Sequence, residues 1–574
     1  MSQVPVNMHT RLSRGIASKI GATGIMFKRC RQQTRFMLKS AVTACVAGVL
    51  LSACAEGTDP EYGDVGYVSG FYGGLSVDEP TAALVGRNVL TAGGNAVDAA
   101  VAMSFALSVT YPSEVSLGGG GVCIVHDTSL GLTEVIDFIP PAGSGSGERP
   151  SAIPTMVRGM AALHARYGQF PWRAVVSPSE RLARLGHRVS RAFAADLTRA
   201  AAPLSQEPTL RAVFAPNGRL LGEGDRLVQP DLSGILGQIR ANGAGAFYSG
   251  QLARRIVEGV RAVGGTLTYE ELNAYTPAWR STVLVPFDSS EAHFAPPPAA
   301  GGPLLAAMWR MLTEGDRYED ANASQRSHLI AEVMKRALAD RRNWLAEGFA
   351  STVPVSDIHS PERVAALMAN YSASQATRPP GLSAQAGQVP EVISGTGFVV
   401  LDRLGMAIAC NLTQYNSFGN GRIADETGII LAAAPGLRGR NPLSLSPVMV
   451  ITENTLNFRF AAASGGGPLA PASLIEVMAQ TLLGDVPVEQ AVAAPRLYAS
   501  DAPDTVLVEE QGGNDLAASL VALGHPVSRF NWQGRVTALH CPNSFSVSRR
   551  EGSRCGVVAD PRGFGLAPFS NSLE

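Results

Sequence analysis

Ser394-Gly395-Thr396-Gly397-Phe398-Val399-Val400-Leu401-Asp402 is a small, polar step that opens onto an apolar run and closes on a carboxylate. Such a run reads as a buried strand whose polar residues mark its start. A hydroxyl at that start, on Thr396 or its neighbour Ser394, is placed to serve as a nucleophile. Further along, Ser464-Gly465-Gly466-Gly467 gathers glycines able to aim backbone N–H groups at a developing oxyanion.

Outward from this stretch the pattern changes on either side. Upstream, residues 81–92 have helical periodicity and stop at Gly93-Gly94. A second helix of small residues follows over 96–109, with Asn95 and Asp98 in its first turn, where capping and the helix dipole favour them. Four glycines, Gly118 to Gly121, lead into an apolar strand, Val122-Cys123-Ile124-Val125-His126. They precede a strand and lack the Lys-Ser/Thr of a phosphate loop, so they read as a turn of close backbone approach. Residues 155–350 read as mostly helical, with amphipathic periodicity over 181–197, 252–263 and 330–344. A polar linker occupies about 351–393, and 373–388 has the composition of an exposed, disordered stretch. Beyond Phe398 strands dominate, at 398–401, 406–412, 428–433, 448–452 and 458–462. A helix over 471–483 and a final hairpin region follow.

The chain has 574 residues, 45% of them hydrophobic, so it can bury a large core. Its 47 basic and 48 acidic side chains leave a net charge of −1, which lacks the basic field of a nucleic-acid binder. At the N-terminus, Arg29, Arg31, Arg35 and Lys39 precede an apolar run, residues 41–50, with the length of a signal-peptide core. The run ends in Leu51-Ser52-Ala53-Cys54, which resembles the lipobox of bacterial lipoproteins. The expectation is export, with Cys54 lipidated as the only link to a membrane; a plain secretory signal is the alternative. Cys541 and Cys555 are close enough for a hairpin disulfide, whereas Cys123 and Cys410 read as buried hydrophobes. No pair has zinc-ligand spacing with histidines, so neither metal nor cofactor is expected.

The order of landmarks resembles the γ-glutamyltransferase family of N-terminal-nucleophile hydrolases. The landmarks are Gly93-Gly94-Asn95-Ala96-Val97-Asp98-Ala99-Ala100, Ser116-Leu117-Gly118-Gly119-Gly120-Gly121 and Gly243-Ala244-Gly245-Ala246-Phe247-Tyr248-Ser249-Gly250. Ala295-Pro296-Pro297-Pro298-Ala299-Ala300-Gly301-Gly302, Ser417-Phe418-Gly419-Asn420-Gly421 and Pro442-Leu443-Ser444 continue the series. Ala494-Pro495-Arg496 and Ala559-Asp560-Pro561-Arg562-Gly563 complete it. The resemblance implies an α+β fold, a four-layer αββα sandwich. Beyond the signal segment over 1–54, it implies a large-subunit-like region over 55–395 and a small-subunit-like region over 396–574, together in one compact body. In the family a threonine splits the chain at its own N-terminal side, and the freed amine then serves as base for its hydroxyl.

Residue by residue, the match to that chemistry breaks. Aligned without gaps on Asp402, the nucleophile position falls on Gly395; one deletion brings Thr396 there. The family's carboxylate-binding Arg falls on Ile139, which cannot make a bidentate clamp. The stretch holding the substrate amine falls on Ala432-Ala433-Ala434-Pro435-Gly436-Leu437. Ser444 remains of a serine pair, with Ser446 displaced by one, and Asn416 stands near an expected Asn. Gly466 and Gly467 match the oxyanion glycines. One reading is a divergent amide or γ-glutamyl hydrolase or transferase using Thr396, Gly466 and Gly467 on a small amide or peptide substrate. The other is an uncleaved, inactive lipoprotein of the family fold that binds or scaffolds. The lost Arg argues against an orthodox glutathione-degrading enzyme.

Overall fold

In the computed structural model, which describes residues 72–145, 149–379, 394–436, 442–532, 534–546 and 555–569, the stretch after Gly395 is a fully buried strand at the centre of the molecule. The described residues all belong to one compact unit, Tyr62–Glu574. Strands longer than two residues are β1 (Gly73–Val77), β2 (Gly120–Asp127), β3 (Leu132–Phe138), β4 (Ala278–Ser281), β5 (Val283–Phe287), β6 (Ser290–Phe294), β7 (Thr396–Asp402) and β8 (Ala407–Thr413). They continue as β9 (Val448–Thr452), β10 (Phe458–Gly465), β11 (Leu497–Asp501), β12 (Asp504–Glu509), β13 (Val527–Phe530), β14 (Arg535–Phe545) and β15 (Gly556–Ala559).

Two six-stranded antiparallel sheets result, in the orders β1-β7-β8-β2-β3-β4 and β15-β14-β10-β9-β6-β5. Period-two alternation sorts their side chains between layers. Along β7, Phe398 and Val400 join a core shared with helices α1 (Pro80–Thr91), α2 (Ala96–Thr110) and α3 (Met156–Tyr167). Val399 and Leu401 point the other way, into the space between the sheets, with Met449, Ala461 and Leu539. Val450, Phe460 and Ala538 of the second sheet pack beneath α4 (Gly301–Thr313), α5 (Ala323–Asp340) and α6 (Ala470–Leu482). The result is the expected αββα sandwich. Asn95 caps α2 as expected, in a reciprocal capping box with Asp98.

Three expectations are corrected. Residues 428–433 form isolated bridges, Gly118↔Leu431, Ser151↔Ala433 and Ile423↔Ile430, instead of a strand. The chain there meets a different partner at each step, and Gly428 sits at φ +69, pressed against Leu232. The stretch 155–350 also contains β4, β5 and β6. Val283-Leu284-Val285-Pro286-Phe287 alternates buried and exposed, a strand period, and Pro286 is tolerated because β5 is a sheet edge. Finally, Cys123 and Cys410 are buried but not free: they face each other across β2 and β8 and form a disulfide. Cys541 and Cys555 form the expected second one. The linker's 380–393 lies outside the described residues.

The C-terminal landmarks meet in one clasp. Arg496 Nη2 donates to Asp560 Oδ2 at 2.6 Å, both side chains essentially without exposure, and Arg562 bridges Asp560 and Glu509. This closes the end of β14 against the loop after β15, since Val536 N also donates to Asp560.

Candidate functional site

Thr396 opens β7 with no exposed surface, so its hydroxyl needs a partner inside the protein. It donates to Asp78 Oδ2 at 2.8 Å, in the turn between β1 and α1. Arg535, the first residue of β14, donates Nε to the same oxygen at 3.2 Å and turns Nη2 toward the Gly395 carbonyl. Gly395 N donates to Glu114 Oε2, and Gly467 N donates to Ser394 O at 2.9 Å. The carbonyl held by a candidate oxyanion glycine is therefore that of the Ser394–Gly395 peptide.

Alternation decides which way each side chain faces. Thr396 shares the parity of Phe398 and Val400, toward the helices; Gly397 shares that of Val399, toward the space between the sheets. A Cβ on Gly397 would meet Ala463 and Ser464 N of the second sheet, and a Cβ on Gly465 would meet Gly395 O at 2.5 Å. The register of β7 with β8 runs from Thr396 to Leu401 without a bulge. A Cβ on Gly395, at φ +91, would meet Leu412 O of the neighbouring strand at 3.2 Å, so it is the Gly395 carbonyl that approaches the glycine cluster. Gly466 (φ +118) and Gly467 (φ +61) form the turn into α6, a backbone path glycine takes without strain.

The surrounding charges are unequal. Burial raises the pKa of Asp78, against the pull of Arg535. Burial, and then Asp196, push Glu114 well above the usual carboxyl range. Burial works against the Arg535 charge, yet Tyr111, Asp78, Glu114 and Asp196 more than offset this and hold its pKa well above the ordinary value. Asp196 is itself tied to Ser113 Oγ at 2.7 Å and to Arg199. Carboxyls outnumber buried cations here, and burial disfavours the charged form of both Asp78 and Glu114.

Of the other expected residues, Gly466 and Gly467 join Thr396 at this end of the sandwich. Asn416 lies in the turn after β8, its carbonyl accepting from Gly419 N. Ser444 ends a short helical turn, Pro442–Ser444, half-buried. It is Ser446 that reaches the network: its N–H donates to Asn411 Oδ1, while Asn411 Nδ2 donates to Ser464 O at 2.7 Å. Ile139 packs among Ala152, Tyr415, Ala432 and Ala433, an apolar lining where a carboxylate clamp was expected. Cys54 and Leu437 lie outside the described residues. Asp78, Glu114, Asn411 and Arg535 escaped sequence reasoning; none stands in a recognisable spacing, and only the fold converges them.

A cluster on the opposite sheet's helical layer has metal-ligating side chains: His328, Glu332 and His525. Its bonds are already satisfied in one direction. His328 Nε2 faces the Ser372 carbonyl, leaving His328 Nδ1 to accept from His525 Nε2 at 2.7 Å and His525 Nδ1 to accept from Lys335 Nζ at 3.2 Å. The Lys335 ammonium already supplies the cation, and burial, then Lys335, lower His525 to about 4.

The comparisons agree with this geometry. Residues 82–567 match the family model described as gamma-glutamyltranspeptidase. The chain is 29% identical over 548 residues to the glutathione hydrolase proenzyme of Escherichia coli K12, covering 86% of this chain and 93% of that protein. It is 28% identical over 530 residues to the acylase ACY 1 proenzyme of Pseudomonas sp. strain V22, covering 82% and 92%. Among solved structures, the cephalosporin acylase from Bacillus halodurans superposes with a TM-score of 0.73 over 90% of this chain and 99% of that one. At 22% identity, that likeness speaks for the fold alone.

Proposed function

The chain belongs to the γ-glutamyltranspeptidase family, and from that premise we propose that it is an inactive member that stays in one piece and binds without hydrolysing. One observation carries this reading: Gly467 N–H holds the Ser394 carbonyl, so the residue after that carbonyl is Gly395. Glycine offers no hydroxyl to attack the carbonyl before it and none for a later substrate. Thr396, next along, faces the helices and gives its proton to Asp78. The apolar lining around Ile139 supports the same reading, because a γ-glutamyl α-carboxylate buried there would go unpaired.

The test is a reducing denaturing gel of the exported protein, with intact mass. A single species is expected; two fragments overturn the reading. Saturable turnover of a γ-glutamyl anilide overturns it as well. One observation favours a second reading, an amidase built on Thr396: its hydroxyl is 2.8 Å from a buried carboxylate that can accept its proton. In that case Thr396→Ala abolishes both cleavage and turnover.

Export with lipidation at Cys54 belongs to the same proposal. Two disulfides suit an oxidising compartment. Fractionating wild type and Cys54→Ser tests it, and an equal soluble fraction for both sinks the anchor.

A further inference from the structure

The end of the sandwich opposite Gly395 carries an apolar surface that the site does not use. Three hairpin turns meet there: residues 128–131 between β2 and β3, 403–406 between β7 and β8, and 453–457 between β9 and β10. They are tied together, since Thr128 Oγ1 donates to Gly405 O at 2.7 Å and His126 Nε2 bonds the Leu456 carbonyl at 2.9 Å. Each tip, or the residue beside it, holds a leucine out to water: Leu130 is 68% exposed, Leu404 46%, Leu456 38% and Leu132 37%. Among the tip residues only Arg403 and Glu453 carry charge; the rest are Thr, Ser, Asn, Gly, Met and Leu. Four leucines at the ends of adjoining hairpins leave apolar area exposed that folding did not need to leave there.

The polypeptide enters the body at this same end. Tyr72 precedes Gly73, which pairs with Asp402 at the foot of β7, one residue before the leucine-bearing turn. Seventeen residues lie between Cys54 and Tyr72, a tether of at most roughly 60 Å at full extension. We propose that this leucine-tipped end is a membrane-facing surface. Its three turns enter the interfacial region of a lipid bilayer to which the N-terminal segment holds the protein. An anchor alone leaves orientation free. Apolar tips beside the point of entry fix it, with the Gly395 end turned away from the lipid. Leucine side chains leaving water for the acyl boundary supply the attraction, and the near-neutral tips remove little hydration from charges.

The experiment is backbone hydrogen exchange on the full chain, with and without vesicles of three parts phosphatidylethanolamine to one part phosphatidylglycerol. Vesicles are expected to slow exchange at least threefold in residues 128–131, 403–406 and 453–457, and not around Gly395 or Gly467. Leu130→Glu combined with Leu404→Glu should erase that slowing with the thermal midpoint little changed, since these two are the most exposed of the four leucines. Unchanged tip exchange on adding vesicles overturns the proposal. So does slowing that appears with rising protein concentration in the absence of lipid, which would make the occupant a second copy of the chain.

Discussion

At the clasp joining Arg496 and Arg562 to Asp560 and Glu509, buried charges match one for one; around Asp78 they do not. In the clasp, burial works against Asp560, yet Arg496 and Arg562 pull its pKa below the ordinary value. Around Asp78, burial wins over the single buried arginine and raises both Asp78 and Glu114. Three of the clasp's four charged residues, Arg496, Asp560 and Arg562, stand in landmark stretches, and its charges hold backbone to backbone. The cluster at Thr396 draws on Asp78, Glu114 and Arg535, which no landmark announces, and burial raises both of its carboxyls. Within one sandwich, then, one buried charge cluster is balanced and the other is not.

The sharpest way to break the comparison is to unbalance the clasp. Arg496→Ala should cost about 3–5 kcal/mol in denaturant unfolding, because it leaves Asp560 buried with its charge half-answered. A loss under about 1 kcal/mol would make the clasp ornamental.

Next in size is a pH effect beside the clasp. Glu476 is fully buried, accepts from Leu497 N at 3.0 Å, and is pushed up by burial to about 8 from an ordinary 4.5. Between those values the folded chain keeps a proton the unfolded chain has released. This contribution is therefore complete below about pH 4.5 and is lost as pH rises toward 8. At about 1.4 kcal/mol per unit the loss amounts to several kcal/mol, and Glu476→Gln should remove that slope from a stability–pH curve. An unchanged slope refutes the assignment.

At the unbalanced cluster, Thr396→Ala should cost about 1.5–3 kcal/mol, the range for a buried hydrogen bond to a charged group. The fragment pattern should stay as in wild type, with the intact mass changed only by the substituted side chain. Smallest of all, Leu404→Ser should shift stability by no more than about 0.5 kcal/mol, as for an exposed side chain with no partner. A larger drop would mean the leucine tips are part of the core.

Much of the sandwich was legible because β7 and α2 declare themselves by period and caps. The turn at Gly93-Gly94 and the helix of small residues appear as read. What was missed depended on long-range pairing: β5 and β6 hid between helical stretches. Cys123 and Cys410 looked like ordinary apolar residues because nothing local reveals that β2 lies beside β8. Of the candidate site, the sequence offered the glycines and Thr396, which the fold brings to one end of the sandwich. Its partners were not, because Asp78, Glu114 and Arg535 come from three distant segments joined only by the fold. Ile139 was read correctly as apolar, and its lining of alanines and Tyr415 gives that reading a physical setting.

The bond between Cys123 and Cys410 has a topological consequence. It spans a sequence separation of 287 residues and makes the chain between them a closed covalent ring. Position 395 lies on that ring. A ring cut once is opened, not divided. Hydrolysis at Gly395 would therefore add one water and release nothing until the disulfide was reduced. Large and small pieces could not exchange between molecules, and whatever the body does it would go on doing as a single diffusing particle.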